Sequence, residues 1–301
     1  MRKLIRVAAL ATAIGAMLVA CAKVPFTGRL QYNVLPDSLM RGIGKTAYND
    51  MLSGVPTKKK GADADTLNKV GRKISKVANQ PKYNWKFTLI NEDTVNAWCL
   101  PGGYIGFYTG VLPALKNEAG MAFVMGHEVG HATAHHGAER MTQSLTMIGG
   151  LVGLELYMKN KTKLKPKDRG LLLGLIGAGA TVGVILPFSR AHEAEADVIG
   201  MMYMAKAGYP PAESIKVWDR FEKESGGGMK IPAFLSTHPA SKKRQAHQKD
   251  WMPKARKRYL RNKLGYDTQA NKWGKGPKGS KKKKSGGDEK SGSRTPVSGK
   301  R

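Results

Sequence analysis

His127-Glu128-Val129-Gly130-His131, inside an apolar run that begins near Asn117, constrains this chain more than any other stretch. It reads as H-E-x-x-H. On a helix, residues four apart share a face, so both imidazoles can turn one nitrogen to the same cation. Glu128 is rotated about 100° from His127, in reach of a water at that cation without being a ligand. Two neutral nitrogen donors and a proton-accepting carboxylate are what metal-assisted hydrolysis requires. The plainer alternative is a helix carrying two structural histidines.

A catalytic zinc takes three protein ligands and keeps one position open, so a third donor must come from elsewhere. A histidine ligand in H-E-x-x-H-x-x-G-x-x-H is excluded, because the chain has Ala134 and Gly137 at the two deciding positions. Glu155 is possible but stands alone in Gly-Leu-Glu-Leu-Tyr. Glu193, in Ser189-Arg-Ala-His-Glu-Ala-Glu-Ala-Asp197, is the stronger candidate. It shares a helical face with Asp197, so one carboxylate can bind metal while the other accepts the second N–H of a ligand histidine and fixes its tautomer. His192 and Glu195 point elsewhere on that helix and read as solvated or supporting groups. An exposed charged helix is the alternative.

H-E-x-x-H followed by S-R-x-x-E-x-E-A-D resembles the gluzincin metallopeptidases of the HtpX and CAAX prenyl protease family, and within it the bacterial periplasmic lipoprotein branch (BepA- and LoiP-like). Thr27-Gly28-Arg29 with Gln31, Asn96 to Ile105, and Ser236-Thr237-His238-Pro239 with Ser241 and Arg244 add to the resemblance, which covers roughly residues 24 to 250. It departs at Asn117-Glu118-Ala119-Gly120, where the family carries an acidic pair, a difference that bears on helix capping more than on chemistry.

The resemblance implies an α+β fold, mainly helical and zincin-like, with a small antiparallel sheet whose edge strand lies beside the metal. It implies one Zn²⁺ per chain on His127, His131 and Glu193, with Glu128 as the base and Asp197 orienting a ligand histidine. Asn96, Ala97, Trp98 and Cys99 would pair with an extended substrate through backbone hydrogen bonds; an ordinary internal hairpin fits the same residues. His238 would donate to the oxyanion or fill the open metal position at rest, unless it merely caps the helix of Arg244. The implied substrates are unfolded or misassembled envelope proteins. The competing class is a non-proteolytic zinc-containing lipoprotein acting as an assembly factor or chaperone.

Residues 1–20 read as a signal peptide: Arg2, Lys3 and Arg6 precede an apolar segment too short to span a bilayer comfortably. It ends in Leu-Val-Ala-Cys21, which resembles the lipobox of bacterial lipoproteins. Lipidated Cys21 would anchor the chain, and Ala22 after it resembles the sorting pattern for the periplasmic face of the outer membrane. Cys99 then has no disulfide partner and reads as a small buried residue. Residues 21–60 read as a tether with a short helix, 61–262 as the metallopeptidase domain, and 263–301 as a basic tail too poor in apolar residues to order itself.

The predicted elements are a helix over 65–78, a strand around Trp85 to Leu89, strands over 95–100 and 104–108, and helices around Glu193 and over 212–223. Two apolar stretches, 145–158 and the uncharged 170–189, form a hairpin that spans a bilayer or is buried on the core or membrane surface. Pro187 and Glu155 favour the second. Lys and Arg number 51 against 22 acids. For an exported chain this excess points to anionic envelope surfaces for the tail, or to no partner, rather than to nucleic acid.

Overall fold

The computed structural model describes residues 23–226, 233–239 and 241–264. The signal segment, Cys21 and the tail beyond residue 264 lie outside the described residues. In chain order the elements are α1 (Asp37–Met51), β1 (Thr57–Lys58), α2 (Ala62–Ala78), β2 (Lys86–Ile90), β3 (Ala97–Leu100) and β4 (Tyr104–Tyr108). After a short helix, α3 (Leu112–Leu115), come α4 (Glu118–Thr133), α5 (His136–Lys161), α6 (Pro166–Ala180), a π turn (Thr181–Ile185) and α7 (Leu186–Lys206). Then follow α8 (Glu213–Gly226), α9 (Ala233–Thr237) and α10 (Lys242–Lys263).

Leu67, Val70 and Ile74 recur at helical spacing on α2 and are fully buried, each burial contributing about 1.5–3 kcal/mol. Helix α4 is buried on nearly every face. It begins at Asn117, whose side chain accepts the Gly120 N–H at 2.9 Å, so one amide side chain caps the helix where an acidic pair was absent. Its principal partner is α7. The two cross where Gly126 meets Gly200: a Cβ on Gly200 would lie 2.6 Å from the His127 nitrogen, and one on Gly126 would lie 2.8 Å from the Gly200 oxygen. Only hydrogen at both positions lets the helices come this close, and the crossing falls beside the H-E-x-x-H turn.

The sheet runs β1-β2-β4-β3. It is mixed rather than wholly antiparallel, because β2 and β4 pair in parallel, Phe87 opposite Ile105. The Pro-Gly-Gly reversal places β3 antiparallel on the outer side of β4, Cys99 opposite Ile105, so β2 can reach β4 only along its remaining edge. As expected, Ala97–Leu100 is an edge strand.

Two sequence expectations change. Residues 23–31 are not a free tether: Val24 is in the core and Phe26 packs edge-on against Tyr203. The apolar hairpin is not buried on the core either. No described residue from 159 to 191 is buried, and Pro166–Lys206 forms one helical run long and apolar enough to cross a membrane.

Candidate metal centre

Helix α4 presents His127 and His131 one turn apart, and α7 delivers Glu193 across the glycine crossing. The Nε2 atoms of the two histidines are 3.2 Å apart, and Glu193 spans them, Oε2 at 3.4 Å from His127 and Oε1 at 3.3 Å from His131. A fourth donor arrives from just after α9. His238 Nδ1 lies 2.9 Å from Glu193 Oε2 and 3.2 Å from His127 Nε2. Donor atoms of all four residues lie within 4.8 Å of one another.

Three imidazoles aimed at one another and at a carboxylate cannot all be satisfied by shared protons, since each nitrogen either donates or accepts. A divalent cation among them removes that conflict, and an all-nitrogen-and-oxygen donor set suits zinc or its transition-metal neighbours. Glu128 fits the same reading. The Cys99 N–H of the edge strand faces its carboxylate and favours the ionised form, while Oε1 is buried without a hydrogen-bond partner. That oxygen faces His238 Nε2 at 3.5 Å. Burial raises the Glu128 carboxyl above its ordinary range, with His238 and His127 pulling the other way.

Behind the donors stand two supporting arrangements. Asp197 Oδ1 meets His127 Nδ1 at 3.0 Å, and Arg244 grips Asp197 through Nε at 2.7 Å and Nη2 at 2.8 Å. Arg244 also donates to the Pro239 carbonyl at 2.9 Å, tying the loop of His238 to the same carboxylate, and its guanidinium stacks over Trp218. On the other side His136 Nδ1 lies 2.9 Å from His131 Nδ1, and its Nε2 lies 3.0 Å from Glu195 Oε2. His131 N–H therefore donates to His136, which donates to Glu195. Arg29 binds Glu139 with both terminal nitrogens at 2.9 and 2.8 Å and Glu195 through Nε at 2.9 Å.

Comparison with known proteins decides the family. The model of Peptidase family M48 matches residues 62–252. The chain belongs to this peptidase family. Mitochondrial metalloendopeptidase OMA1 of Schizosaccharomyces pombe is 31% identical over 237 residues, covering 77% of this chain and 66% of that protein. OMA1 of Saccharomyces cerevisiae is 39% identical over 181 residues, 58% of this chain and 49% of that one. The Beta-barrel assembly-enhancing protease of Escherichia coli is 29% identical over 185 residues, 60% of this chain and 37% of that protein. The chain thus spans between about a third and two thirds of these relatives. M48 relatives from mitochondria stand beside those from bacteria, so the bacterial lipoprotein branch is not singled out.

Within the M48 domain the remaining candidates fall as follows. Glu155 is far from the donors in role, its carboxylate taken by Arg169 at 3.0 Å. Of the two readings for His192 and Glu195 the structure fits the supporting one, not the solvated one: both are buried, Glu195 bonded to His136, and His192 bonded to Glu139 at 2.9 Å and stacked on His136 with centroids 4.2 Å apart. The helical wheel gave their direction correctly but not that α5 and residues 27–32 would cover it. At the start of β3 the Ala97 N–H is met by the Asn96 side chain, and just before it Phe234 N–H donates to the Val95 carbonyl at 2.9 Å. Trp98 lies against Gly106, where a Cβ would sit 2.3 Å from the indole. Burial pushes the Cys99 thiol well up, the Glu128 carboxylate adding to it, which is the character of an inert thiol. His136 carries weight that the sequence did not signal, whereas Arg244 anchors the loop of His238, the role its place after Ser236-Thr-His-Pro offered. The five-residue interval from His131 to His136 could have signalled the first only if the turn at His135, left-handed at φ 50°, had been foreseen.

Proposed function

We propose that this chain is a zinc-dependent endopeptidase of the bacterial envelope, held at a membrane by lipid on Cys21, with the outer membrane favoured by Ala22. The observation that carries the hydrolytic reading is the convergence of His127, His131 and Glu193 from two helices, with Glu128 presenting an unpartnered buried oxygen beside them. Zinc bound there would acidify a water and polarise a scissile carbonyl. Glu128 is positioned to take the water's proton and hand it to the departing amine. Asp197, itself fixed by Arg244, holds His127 with Nε2 turned to the donor set. His136 and Glu195 do the same for His131. Extended chains would align along Asn96–Cys99 by backbone pairing, which suits unfolded or misassembled envelope proteins because it reads little sequence.

His238 takes the role of a fourth donor that closes the centre at rest. The Phe234 contact at Val95 and the Pro239 contact at Arg244 hold it there. A closed four-donor site is also what a non-proteolytic assembly factor with a structural zinc would show, so the two readings need an experiment that separates them. A Glu128→Gln variant keeps the four donors. It should retain wild-type metal content and thermal stability while losing casein hydrolysis by about 10²-fold or more. Hydrolysis at the wild-type rate would remove the peptidase reading, and in-cell function preserved without hydrolysis would favour the assembly factor.

A further inference from the structure

The hairpin formed by α5 with α6, the π turn and the start of α7 leaves the body with its apolar side chains uncovered. Leu145, Ile148 and Val152 on the first arm and Leu171, Leu175 and Val182 on the second are each more than half exposed. A soluble domain rarely presents so large a continuous apolar surface. The arms have the dimensions of a bilayer. Between Arg140 and Lys159 lie residues 141–158, and between Arg169 and Arg190 lie residues 170–189. At 1.5 Å per residue these are roughly 27 and 30 Å long, against a hydrocarbon core of about 30 Å.

Charge is distributed to match. The second arm has none on any face, which an in-plane amphipathic helix would need. The first has Glu155 alone, one turn from the tip and paired with Arg169 at 3.0 Å. The tip carries Lys159, Lys161, Lys163, Lys165 and Lys167, all exposed and suited to anionic headgroups. Glycines let the arms approach: a Cβ on Gly177 would meet Leu151 at 3.4 Å, the small-residue contact that helices use in lipid.

We propose that this hairpin is embedded across a lipid bilayer, its lysine tip among anionic headgroups on one side and the peptidase body on the other. Glu193 follows Ser189 by four residues, about 6 Å along the helix. Glu193 then sits about one helical turn from the membrane surface, and at the hairpin's root the half-buried Arg29 joins the buried Glu139 and Glu195. The embedding itself uses no part of the hydrolytic reading, and its test reads labelling rather than hydrolysis.

The test uses the full chain carrying Cys21→Ser and Cys99→Ala, so that neither native thiol can react, reconstituted in sealed vesicles of phosphatidylethanolamine and phosphatidylglycerol. A membrane-impermeant thiol reagent is added and labels per chain are counted by mass spectrometry. With Ser53→Cys on the body and Lys163→Cys at the tip together, one label per chain is expected in sealed vesicles and two after detergent, whichever way each molecule inserted. Leu175→Cys should stay unlabelled until detergent is added. Two labels before detergent, or Leu175→Cys reacting as fast as in detergent, would overturn the proposal. Either result would mean that the arms lie outside the bilayer or against a second copy of the chain.

Discussion

Asp197 stands between His127 and Arg244, with Oδ1 3.0 Å from His127 Nδ1 and Oδ2 accepting from Arg244 Nε at 2.7 Å. The carboxylate is completely buried, so its orientation is set by these two partners rather than by solvent. Replacing it with Asn keeps the shape but offers Arg244 no charge and His127 a weaker acceptor. Asp197→Asn should lower zinc affinity by about 10–100-fold, read by competition with a chromophoric chelator. Wild-type affinity would show that His127 needs no such support.

His238 differs from the other donors in coming from neither α4 nor α7. If it holds the open position at rest, the competent state is a minor one and activity is scaled down by its fraction. His238→Ala should then raise casein hydrolysis, on the order of tenfold, with zinc content retained. A loss of kcat at unchanged KM would instead assign His238 to oxyanion stabilisation.

The crossing of α4 and α7 leaves no room beside Gly200. Gly200→Ala puts a methyl group against the His127 backbone and should cost about 1–3 kcal/mol, with weakened metal binding as the helices separate. Gly137 is also helical, but a Cβ there meets nothing within 4 Å, so Gly137→Ala should be neutral or slightly stabilising. Equal melting temperatures for the two variants would contradict the close-approach argument.

Acid should unfold the protein through the cluster at the hairpin root. Burial of Glu139 opposes its ionisation, but hydrogen bonds from His192 and Arg29 win and hold its carboxyl well below the ordinary range. A carboxylate depressed on folding adds stability above the unfolded value of about 4.3 and loses it as pH falls below. Burial, with His192 and Arg29 adding to it, holds His136 neutral well below its usual range. The unfolded chain therefore takes up that proton first, and stability begins to fall below about pH 6.5. Tm should be level above about pH 7 and drop progressively on acidification. Arg29→Ala should lose about 2–4 kcal/mol at neutral pH by removing the guanidinium that two buried carboxylates share, and its Tm should fall less steeply below about pH 4.5.

Much of the centre was legible in the sequence because it depends on periodicity. Four-residue spacing put His127 with His131 and Glu193 with Asp197, and one-residue offsets set Glu128 apart from the ligands. Alternation and Pro-Gly-Gly located β3 and β4. What spacing cannot express is how two helices meet. The parallel pairing of β2 with β4, the arrival of His238 as a fourth donor, and the links from His131 through His136 to Glu195 and Arg29 join residues 18 to 166 positions apart or turn on one left-handed residue. The chain by itself determined which side chains could share a face; the fold decided which faces touch, because Gly126 and Gly200 allow an approach that only their joint presence at one crossing makes possible.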